Sequence, residues 1–328
     1  MDPVKLVLII FVVLAAMVLL ISYGCFLFAF RARRHKSVNL DEIILPSGPV
    51  YEPFCDDMTR WILEVRRMPH EEVSICSRDR LILTGKFYEF APGAPIELMF
   101  HGYRGSAERD LSGGVQRCFC LGRSALVVEQ RGSNTSEGNV ITFGIREHLD
   151  CLDWVDFVVD HYGKDVKIIL TGISMGASTV LMAAGKKLPE NVIGVLADCG
   201  FTSAKDIMYH VMKQMGLPAK PCYPFVKLGA RLFGGFDLDE YSAQEAVKNC
   251  KVPVIFFHGE ADNFVPCNMS ILNYEACSSR KQLVTIPGAG HGLSYPVEPE
   301  RYLDALRAFF GPEASHPSVV ESSFFVKD

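Results

Sequence analysis

The fold is decided by residues 166–178, which read VKIILTGISMGAS. Residues 166–170 form a mostly apolar run of strand-forming residues, and an alanine-rich helical stretch, residues 174–187, follows it. Between them stands G-x-S-x-G, the pattern of a sharp strand-to-helix turn that lifts a serine hydroxyl above the edge of a sheet. The pattern alone is weak, but its position between a strand and a helix is the context that it requires. We therefore predict that Ser174 is a nucleophile at the end of a buried strand.

The same alternation of short apolar strands with helices extends over residues 71–310. Its first two strands, residues 73–76 and 81–90, are predicted to form an antiparallel pair. The later strands read as continuous apolar runs, which are typical of a parallel sheet covered by helices on both faces. They are predicted at residues 96–100, 125–128, 166–170, 192–197, 252–257 and 282–286, with helices at 145–159, 174–187 and 301–310. The predicted fold class is α/β, with a mostly parallel, doubly wound sheet that binds its ligand beyond the strand ends.

Three further segments flank or interrupt this unit. Residues 201–249 break the alternation with helices, glycines and prolines, and are predicted to form a small helical cap over the site. Residues 37–70 are predicted to be a connector, whose helix at residues 57–67 packs on the domain or lies at a bilayer surface. Residues 311–328 are expected to form a loosely held tail.

The N-terminus carries one apolar run, residues 6–30, which exceeds the roughly 18 residues that mark a membrane-spanning helix. A cleaved signal peptide would have a shorter apolar region, of about 7–15 residues, before a small-residue cleavage site. Residues 1–36 are therefore predicted to be an uncleaved anchor with a basic flank. Positive charges lie mainly after the helix, at Arg31, Arg33, Arg34 and Lys36, with Lys5 alone before it. The positive-inside rule then predicts that the C-terminal domain lies in the cytoplasm.

Charge and cysteine usage exclude several kinds of protein. The net charge is −5 and there is no basic stripe beyond the short flank, which argues against nucleic-acid binding. The 11 cysteines are scattered without a C-x-x-C pair, so they form neither a disulfide framework nor a zinc pattern. We expect them to be free thiols in a reducing compartment.

A serine nucleophile needs a base, and the expected order along such a chain is serine, acid, histidine. His291, in the sequence GAGHG just after the last strand, is the predicted base. Asp262, which follows the preceding strand, is the predicted acid that orients the histidine. Asp198, at the end of an earlier strand, is an alternative acid, whereas Glu260 is expected to be an ordinary loop residue.

The negative charge that develops on a carbonyl oxygen needs donors that are placed in advance. One predicted donor is the backbone N–H of Met175, directly after the nucleophile. The other is the backbone N–H of Tyr103, in the sequence HGYRG after the strand at residues 96–100. His101 precedes this turn and is expected to have a structural role.

Together, HGYRG, GISMG, HGEAD and GAGHG resemble the motifs of the α/β-hydrolase superfamily, over residues 73–310. Residues 129–138 are similar to its D-x-R-G-x-G-x-S-x-G loop, with Glu129 where aspartate is usual and Asn134 where glycine is usual. DCGFTS at residues 198–203 and FVP at 264–266 look like the membrane-anchored bacterial branch, Bem46-like or prolyl-oligopeptidase-related. The resemblance implies an α/β-hydrolase fold and serine-dependent hydrolysis of an ester, thioester or amide, without a metal or organic cofactor.

The predicted function is hydrolysis of a carboxylic ester through an acyl-enzyme on Ser174. The anchor and the apolar cap residues, Phe225, Leu228, Leu232 and Phe233, favour a lipid or acyl ester over another small molecule, unless these residues are the cap's own core. A serine peptidase or thioesterase is the alternative within the same chemistry. An inactive binding protein is the alternative outside it, and the intact set of serine, histidine and aspartate argues against that function.

Overall fold

An eight-stranded sheet forms the centre of the structure, a computed structural model that describes residues 2–32 and 42–318. The strands are β1 (Glu71–Cys76), β2 (Ile82–Tyr88), β3 (Ile96–Phe100), β4 (Ser124–Val128), β5 (Ile168–Ile173), β6 (Val192–Asp198), β7 (Val254–Gly259) and β8 (Lys281–Ile286). Their order in the sheet is β1-β2-β4-β3-β5-β6-β7-β8. β2 runs antiparallel to both of its neighbours and the other strand pairs are parallel. The predicted mostly parallel sheet with an antiparallel pair at its start is confirmed.

Helices precede the sheet and connect its strands. They are α1 (Pro3–Ala29), α2 (Cys55–Arg67), α3 (Ala107–Cys120), α4 (Glu147–Tyr162), α5 (Met175–Ala184), α6 (Ala204–Gln214), α7 (Ala219–Gly229), α8 (Ala243–Val247), α9 (Cys267–Ala276), α10 (Ser294–Val297) and α11 (Pro299–Phe310). A π-helical turn, Ala230–Gly234, follows α7.

These helices cover both faces of the sheet. On one face, Leu126 and Leu170 share an apolar core with side chains of α4 and α5. On the other face, Ile169 and Leu196 share a second core with α11, and Met99 shares a third with α3. Successive residues of a strand point to opposite faces, which is why Leu170 and Ile169 belong to different cores. The sheet is therefore doubly wound, as predicted.

The sequence predicts neither α3 nor α9. In α3 the reason is Gly113 and Gly114, which weaken a helix by roughly 1 kcal/mol each relative to alanine. The packing explains both glycines, because a Cβ at Gly113 would lie 2.7 Å from the ring of Trp61 in α2 and one at Gly114 would lie 2.3 Å from Met99 in β3. Close contact on two sides thus overrides the local preference. The absence of a side chain at Gly113 lets α2, the helix of the predicted connector, pack directly on α3.

α1 is long and apolar enough to cross a membrane, with a mean hydropathy of 3.2 over its most apolar 18 residues. Residues 3–21 are exposed along the whole stretch. From Ser22 onward one side of the helix is covered, because α7 and the π-helical turn pack against it. The covered side chains recur at helical spacing and are Ser22, Cys25, Phe26, Ala29 and Phe30.

The end of α1 is built into the core. Phe30 has no exposed surface, and its ring lies edge-on to those of Phe143, at 5.9 Å, and Phe236, at 5.3 Å, between centroids. Beyond it, the backbone N–H of Ala32 donates to the carbonyl oxygen of Asn139 at 2.9 Å. Three members of the predicted basic flank, Arg33, Arg34 and Lys36, lie outside the described residues.

Candidate active site

Ser174 occupies the turn between β5 and α5 with φ 56° and ψ −118°. Positive φ is uncommon for a residue with a side chain, and such strain persists only where the surroundings enforce it. Here the two glycines of the motif allow the close approach, since a Cβ at Gly172 would lie 2.2 Å from the backbone of Gly176, and one at Gly176 would lie 2.0 Å from the carbonyl oxygen of Phe100. The Ser174 N–H donates to the carbonyl oxygen of Asp198 at 2.8 Å, which ties the turn to the end of β6.

His291 lies on the loop after β8, with its imidazole between two partners. Its Nε2 is 2.9 Å from Ser174 Oγ and its Nδ1 is 2.7 Å from Asp262 Oδ2. With the ring proton on Nδ1, the histidine donates to Asp262 and accepts from the Ser174 hydroxyl. The predicted serine, histidine and aspartate are therefore brought together in one hydrogen-bonded relay.

Asp262 follows β7 and is almost fully buried. Its Oδ1 accepts the backbone N–H groups of Phe264 and Val265, each at 2.8 Å. His258, fully buried at the end of the same strand, brings Nε2 to 3.3 Å from Asp262 Oδ2. Burial by itself raises the pKa of Asp262, but the hydrogen bonds from His258 and His291 outweigh it and hold the pKa well below its usual range. The carboxylate therefore stays ionised and fixes the orientation of His291.

The alternative acids do not reach His291. Asp198 accepts hydrogen bonds from the hydroxyl groups of Ser294, at 2.8 Å, and Tyr302, at 3.2 Å. Burial raises the pKa of Asp198, and its position beneath the turn gives it a structural role. Glu260 accepts from Thr285 Oγ1 at 2.7 Å on the exposed side of its loop.

The loop after β3 lies against the nucleophile. A Cβ on Gly102 would be 3.5 Å from Ser174 Cβ, and the Gly102 N–H donates to Asp110 Oδ2 at 3.0 Å. Tyr103 is the next residue and lines the same cavity as Ser174, and its role as a donor stays a prediction. Met175 is the first residue of α5. The N–H groups of the first turn of a helix have no hydrogen-bond acceptor within that helix.

The same loop is attached to the end of α1. The Tyr103 hydroxyl donates to the carbonyl oxygen of Ala29 at 2.8 Å, and the Arg104 guanidinium donates to that of Phe28 at 2.6 Å. His101 acts structurally, since its Nε2 accepts the N–H of Gln130 at 3.0 Å. The end of the apolar helix therefore supports the loop that carries Tyr103.

The loop of residues 129–138 supports α3 without entering the relay. Glu129 Oε1 accepts from the N–H of Ala107, at the start of α3, and from Asn134 Nδ2, at 3.2 and 3.1 Å. Asn134 has φ 44°, the left-handed conformation for which glycine is usual at this position. Asn134 thus takes the backbone conformation of the usual glycine, and Glu129 ties the loop to the start of α3.

A cavity of about 400 Å³ opens at Ser174. Its wall includes residues 46–51 of the predicted connector, together with Arg109, Asp110 and Phe264. Sequence reasoning missed this wall because no periodic pattern marks it. It also missed Tyr51, whose hydroxyl donates to the carbonyl oxygen of His291 at 3.0 Å across 240 positions of the chain. Burial raises the pKa of Tyr51 to about 12, so this donor keeps its proton at neutral pH.

One group of potential metal ligands lies within the described ranges. Cys199 Sγ and the nearest ligand atoms of Asp262 and His291 are all within 4.8 Å of one another. Asp262 and His291 already hydrogen-bond each other, and Cys199 is fully buried behind them. Asp262 and His291 are therefore already paired with each other beside the Cys199 thiol.

Several known proteins are similar to this chain. The family model of the prolyl oligopeptidase family matches residues 142–315. The uncharacterized protein YqkD of Bacillus subtilis is 26% identical over 190 residues, which are 58% of this chain and 62% of YqkD. Protein bem46 of Schizosaccharomyces pombe is 24% identical over 232 residues, 68% of this chain and 71% of bem46. The match thus spans less than two thirds of the length of YqkD and slightly more than two thirds of the length of bem46.

Among solved structures, the Pyrococcus furiosus esterase Pf2001 superposes with a TM-score of 0.62 at 21% identity, over 84% of this chain and 97% of the esterase. At that identity the likeness establishes the fold, and the α/β-hydrolase fold predicted from the motifs is confirmed. The family match covers more than half of the 328 residues, including the segments that carry Ser174, Asp262 and His291. The chain therefore belongs to the prolyl oligopeptidase family, within the α/β-hydrolase superfamily.

Proposed function

We propose that this protein is a membrane-anchored serine hydrolase that cleaves carboxylic esters. The observation that carries the proposal is the relay from Ser174 through His291 to Asp262, at 2.9 and 2.7 Å. The first distance is within the range in which a base removes the proton of a nucleophile, and the second lets Asp262 orient that base. The strained turn at Ser174 and the buried Asp262 carboxylate support the same assignment.

The reaction has two acyl-transfer steps. Ser174 Oγ attacks the ester carbonyl carbon while His291 Nε2 takes the hydroxyl proton, and the N–H groups of Tyr103 and Met175 stabilise the oxyanion. Collapse of this intermediate breaks the bond to the leaving alcohol, which receives the proton from His291. Water then attacks the acyl-enzyme with His291 again acting as base, and the carboxylic acid is released. Asp262 holds the Nδ1 proton and stabilises the imidazolium formed in each step.

Cavity size favours an ester over a polypeptide. A volume of about 400 Å³ is in the range of pockets that enclose small molecules. Residues 46–51 form part of its wall, which leaves less room for an extended peptide on both sides of Ser174. A thioester presents the same carbonyl with a better leaving group and is the second candidate. A peptidase, in keeping with the family's name, is the third.

The anchor is α1, and we place the catalytic domain in the cytoplasm. A cleaved leader is disfavoured because the last residues of the N-terminal apolar run, up to Phe30, belong to the core of the domain. Cytoplasmic placement rests on the basic flank and on the 11 cysteines, all within the described residues and all free thiols. Cys76 is exposed and reports the topology. A membrane-impermeant maleimide should leave it unmodified in intact cells and label it after lysis, whereas labelling of intact cells would place the domain outside.

The nucleophile is tested with the full chain in detergent micelles, because α1 contacts the loop at Tyr103. A fluorophosphonate probe should label the wild type and the control Ser47→Ala, whose serine is also at the cavity, but not Ser174→Ala. Failure to label the folded wild type would make the inactive binding protein the leading function.

Substrate class is tested on the same samples with p-nitrophenyl esters of rising acyl length and with amide and thioester analogues of the best one. We expect turnover of the ester to exceed that of the matched amide. A preference for the amide would identify a peptidase, and one for the thioester would identify a thioesterase.

A further inference from the structure

The contacts of α1 divide it into two lengths. Residues 3–21 touch nothing that covers them, and at about 1.5 Å per residue these 19 residues extend about 28 Å. That length matches the hydrocarbon core of a bilayer, about 30 Å. Coverage by the folded unit begins at Ser22, where a Cβ on Gly229 of α7 would lie 2.3 Å from the Ser22 carbonyl oxygen. The bilayer surface therefore lies close to Ser22.

Large apolar side chains are exposed at this level. The rings of Tyr23, in α1, and Phe233, in the π-helical turn, are 4.9 Å apart between centroids and meet edge-on. Both are more than one-third exposed, and so is Leu232 beside them. Towards the domain, Leu27 and Phe28 are exposed on α1 as well. We call Tyr23, Leu27, Phe28, Leu232 and Phe233 the seating surface.

This surface is continuous with the helix that requires lipid around it. A soluble protein rarely exposes such a cluster, and aromatic residues beside a spanning helix are typical of the membrane–water interface. Charge points the same way, since none of the five is an acidic or a basic residue. Its occupant is therefore the lipid bilayer rather than another protein.

The catalytic cavity lies a short distance below the seating surface. Ala29 is seven residues beyond Ser22, which corresponds to about 10 Å along the helix. The carbonyl of Ala29 accepts from the Tyr103 hydroxyl, and Tyr103 lines the cavity together with Ser174. Phe264, also largely exposed, stands at the cavity with its ring 5.0 Å from that of His291. The cavity is thus at headgroup depth.

We propose that the seating surface lies in the headgroup layer and that the site takes its ester directly from the membrane, so that the substrate is a long-chain acyl ester dissolved in the bilayer. This inference rests on the proposed serine hydrolase function and on α1 spanning the membrane. It goes further by naming the phase from which the substrate comes. An ester carbonyl of a bilayer lipid lies near the boundary of the hydrocarbon core, about 10 Å along α1 from the Ala29 carbonyl that accepts from Tyr103.

The first experiment tests whether the seating surface contacts lipid, and its readout does not depend on enzyme activity. Leu232→Trp and Leu63→Trp are each introduced into the full chain, which is reconstituted in phosphatidylcholine vesicles with or without bromine on the acyl chains. Leu63 is 36% exposed and lies in α2, which packs on α3. Bromolipid should quench the added fluorescence of Leu232→Trp but not that of Leu63→Trp. Equal quenching of the two, or none in Leu232→Trp, would overturn the seating surface.

Substrate delivery is tested next with Leu232→Glu and the matched control Leu63→Glu. A fluorogenic long-chain ester in the vesicles and water-soluble p-nitrophenyl acetate are assayed in parallel. Loss of one buried leucine contact should reduce turnover of the vesicle ester by about tenfold or more in Leu232→Glu. Its turnover of the acetate, and both activities of Leu63→Glu, should stay within about twofold.

The outcomes separate the two proposals. An equal loss on both esters would show that Leu232 acts only on the fold, and unchanged vesicle turnover would show that the membrane does not deliver the substrate. Either result overturns the inference and leaves the serine hydrolase standing. If the wild type reacts with neither ester nor with the fluorophosphonate, the hydrolase proposal fails and the substrate inference fails with it. Bromolipid quenching still decides whether the seating surface lies in the membrane.

Discussion

Replacing Phe30 by alanine should destabilise the whole catalytic domain, although Phe30 follows directly on an apolar N-terminal helix. The side chain has no exposed surface and lies between Phe143 and Phe236. Removing a fully buried phenylalanine costs about 3–5 kcal/mol, because apolar contacts are lost and a cavity remains. The matched control is Phe28→Ala, because Phe28 is 57% exposed two residues earlier and should cost at most about 0.5 kcal/mol.

The assay is thermal unfolding of the full chain in detergent micelles. Trp154 is 1% exposed in α4, so its fluorescence reports the loss of the core. For a domain of this size, 3–5 kcal/mol corresponds to a decrease in Tm of roughly 6–20 °C. Phe28→Ala should change Tm by no more than about 2 °C. If both variants melt together with the wild type, the end of α1 is not part of the core and the reasoning is wrong.

A chain that begins at residue 33 provides a second form of the same prediction. It lacks Phe26, Phe30 and the carbonyls that bind Tyr103 and Arg104. We expect it to unfold at a lower temperature than Phe30→Ala and to react more slowly with fluorophosphonate. A removable leader would give the opposite result, namely a shortened chain as stable and as reactive as the full one.

Three other substitutions follow from single contacts. Asp262→Asn should reduce kcat by about 10³–10⁴-fold, because the amide no longer stabilises the His291 imidazolium, whereas Asp198→Asn should reduce kcat by less than about tenfold. Tyr51→Phe removes one hydrogen bond to the His291 carbonyl and should reduce kcat by roughly three- to tenfold with little change in Tm. Glu97→Gln should cost about 3 kcal/mol in urea unfolding at pH 7, because it disrupts the buried ion pairs of Glu97 with Arg117 and Arg123. Burial by itself raises the pKa of Glu97, but the two arginines lower it to about 2, so this stability is present above pH 4.5 and is lost as the pH falls towards 2. Unfolding of Glu97→Gln should accordingly depend less on pH in that window.

The centre of the fold could be predicted because each strand carries its own signal. Residues 96–100 are β3 without any correction, and the other predicted strands differ from the structure by a few residues at their ends. The candidate site followed, since parallel strands end at the same edge of a sheet and Ser174, Asp262 and His291 each follow a strand. The order along the chain allows both Asp198 and Asp262. The position of Asp262 after the strand that precedes the last one favoured it, and the geometry has the same pairing.

The contacts of the N-terminal region could not be predicted, for a physical reason. Ser22, Phe26 and Phe30 lie on one side of α1, but the other sides are equally apolar and the helix has no amphipathic contrast that would mark a packed face. Residues 46–51 have no periodic pattern at all, and Tyr51 meets His291 only through the folding of 240 intervening positions. Contacts of this kind depend on shape complementarity between distant segments, which one sequence does not display.

The N-terminal region reaches both halves of the candidate machinery. At one end, carbonyls of α1 hold Tyr103 and Arg104 in the loop that carries the proposed oxyanion donor. At the other end, the Tyr51 hydroxyl holds the loop of the base, and its neighbours in residues 46–51 close the cavity. The loops at the ends of the strands therefore carry serine, histidine and aspartate, but the geometry around these residues depends on α1, most of which is apolar enough to lie in lipid. A change that tilts or withdraws α1 would move the loop at Tyr103 before it disturbed the relay. It would therefore lower kcat and slow the reaction with fluorophosphonate without abolishing it.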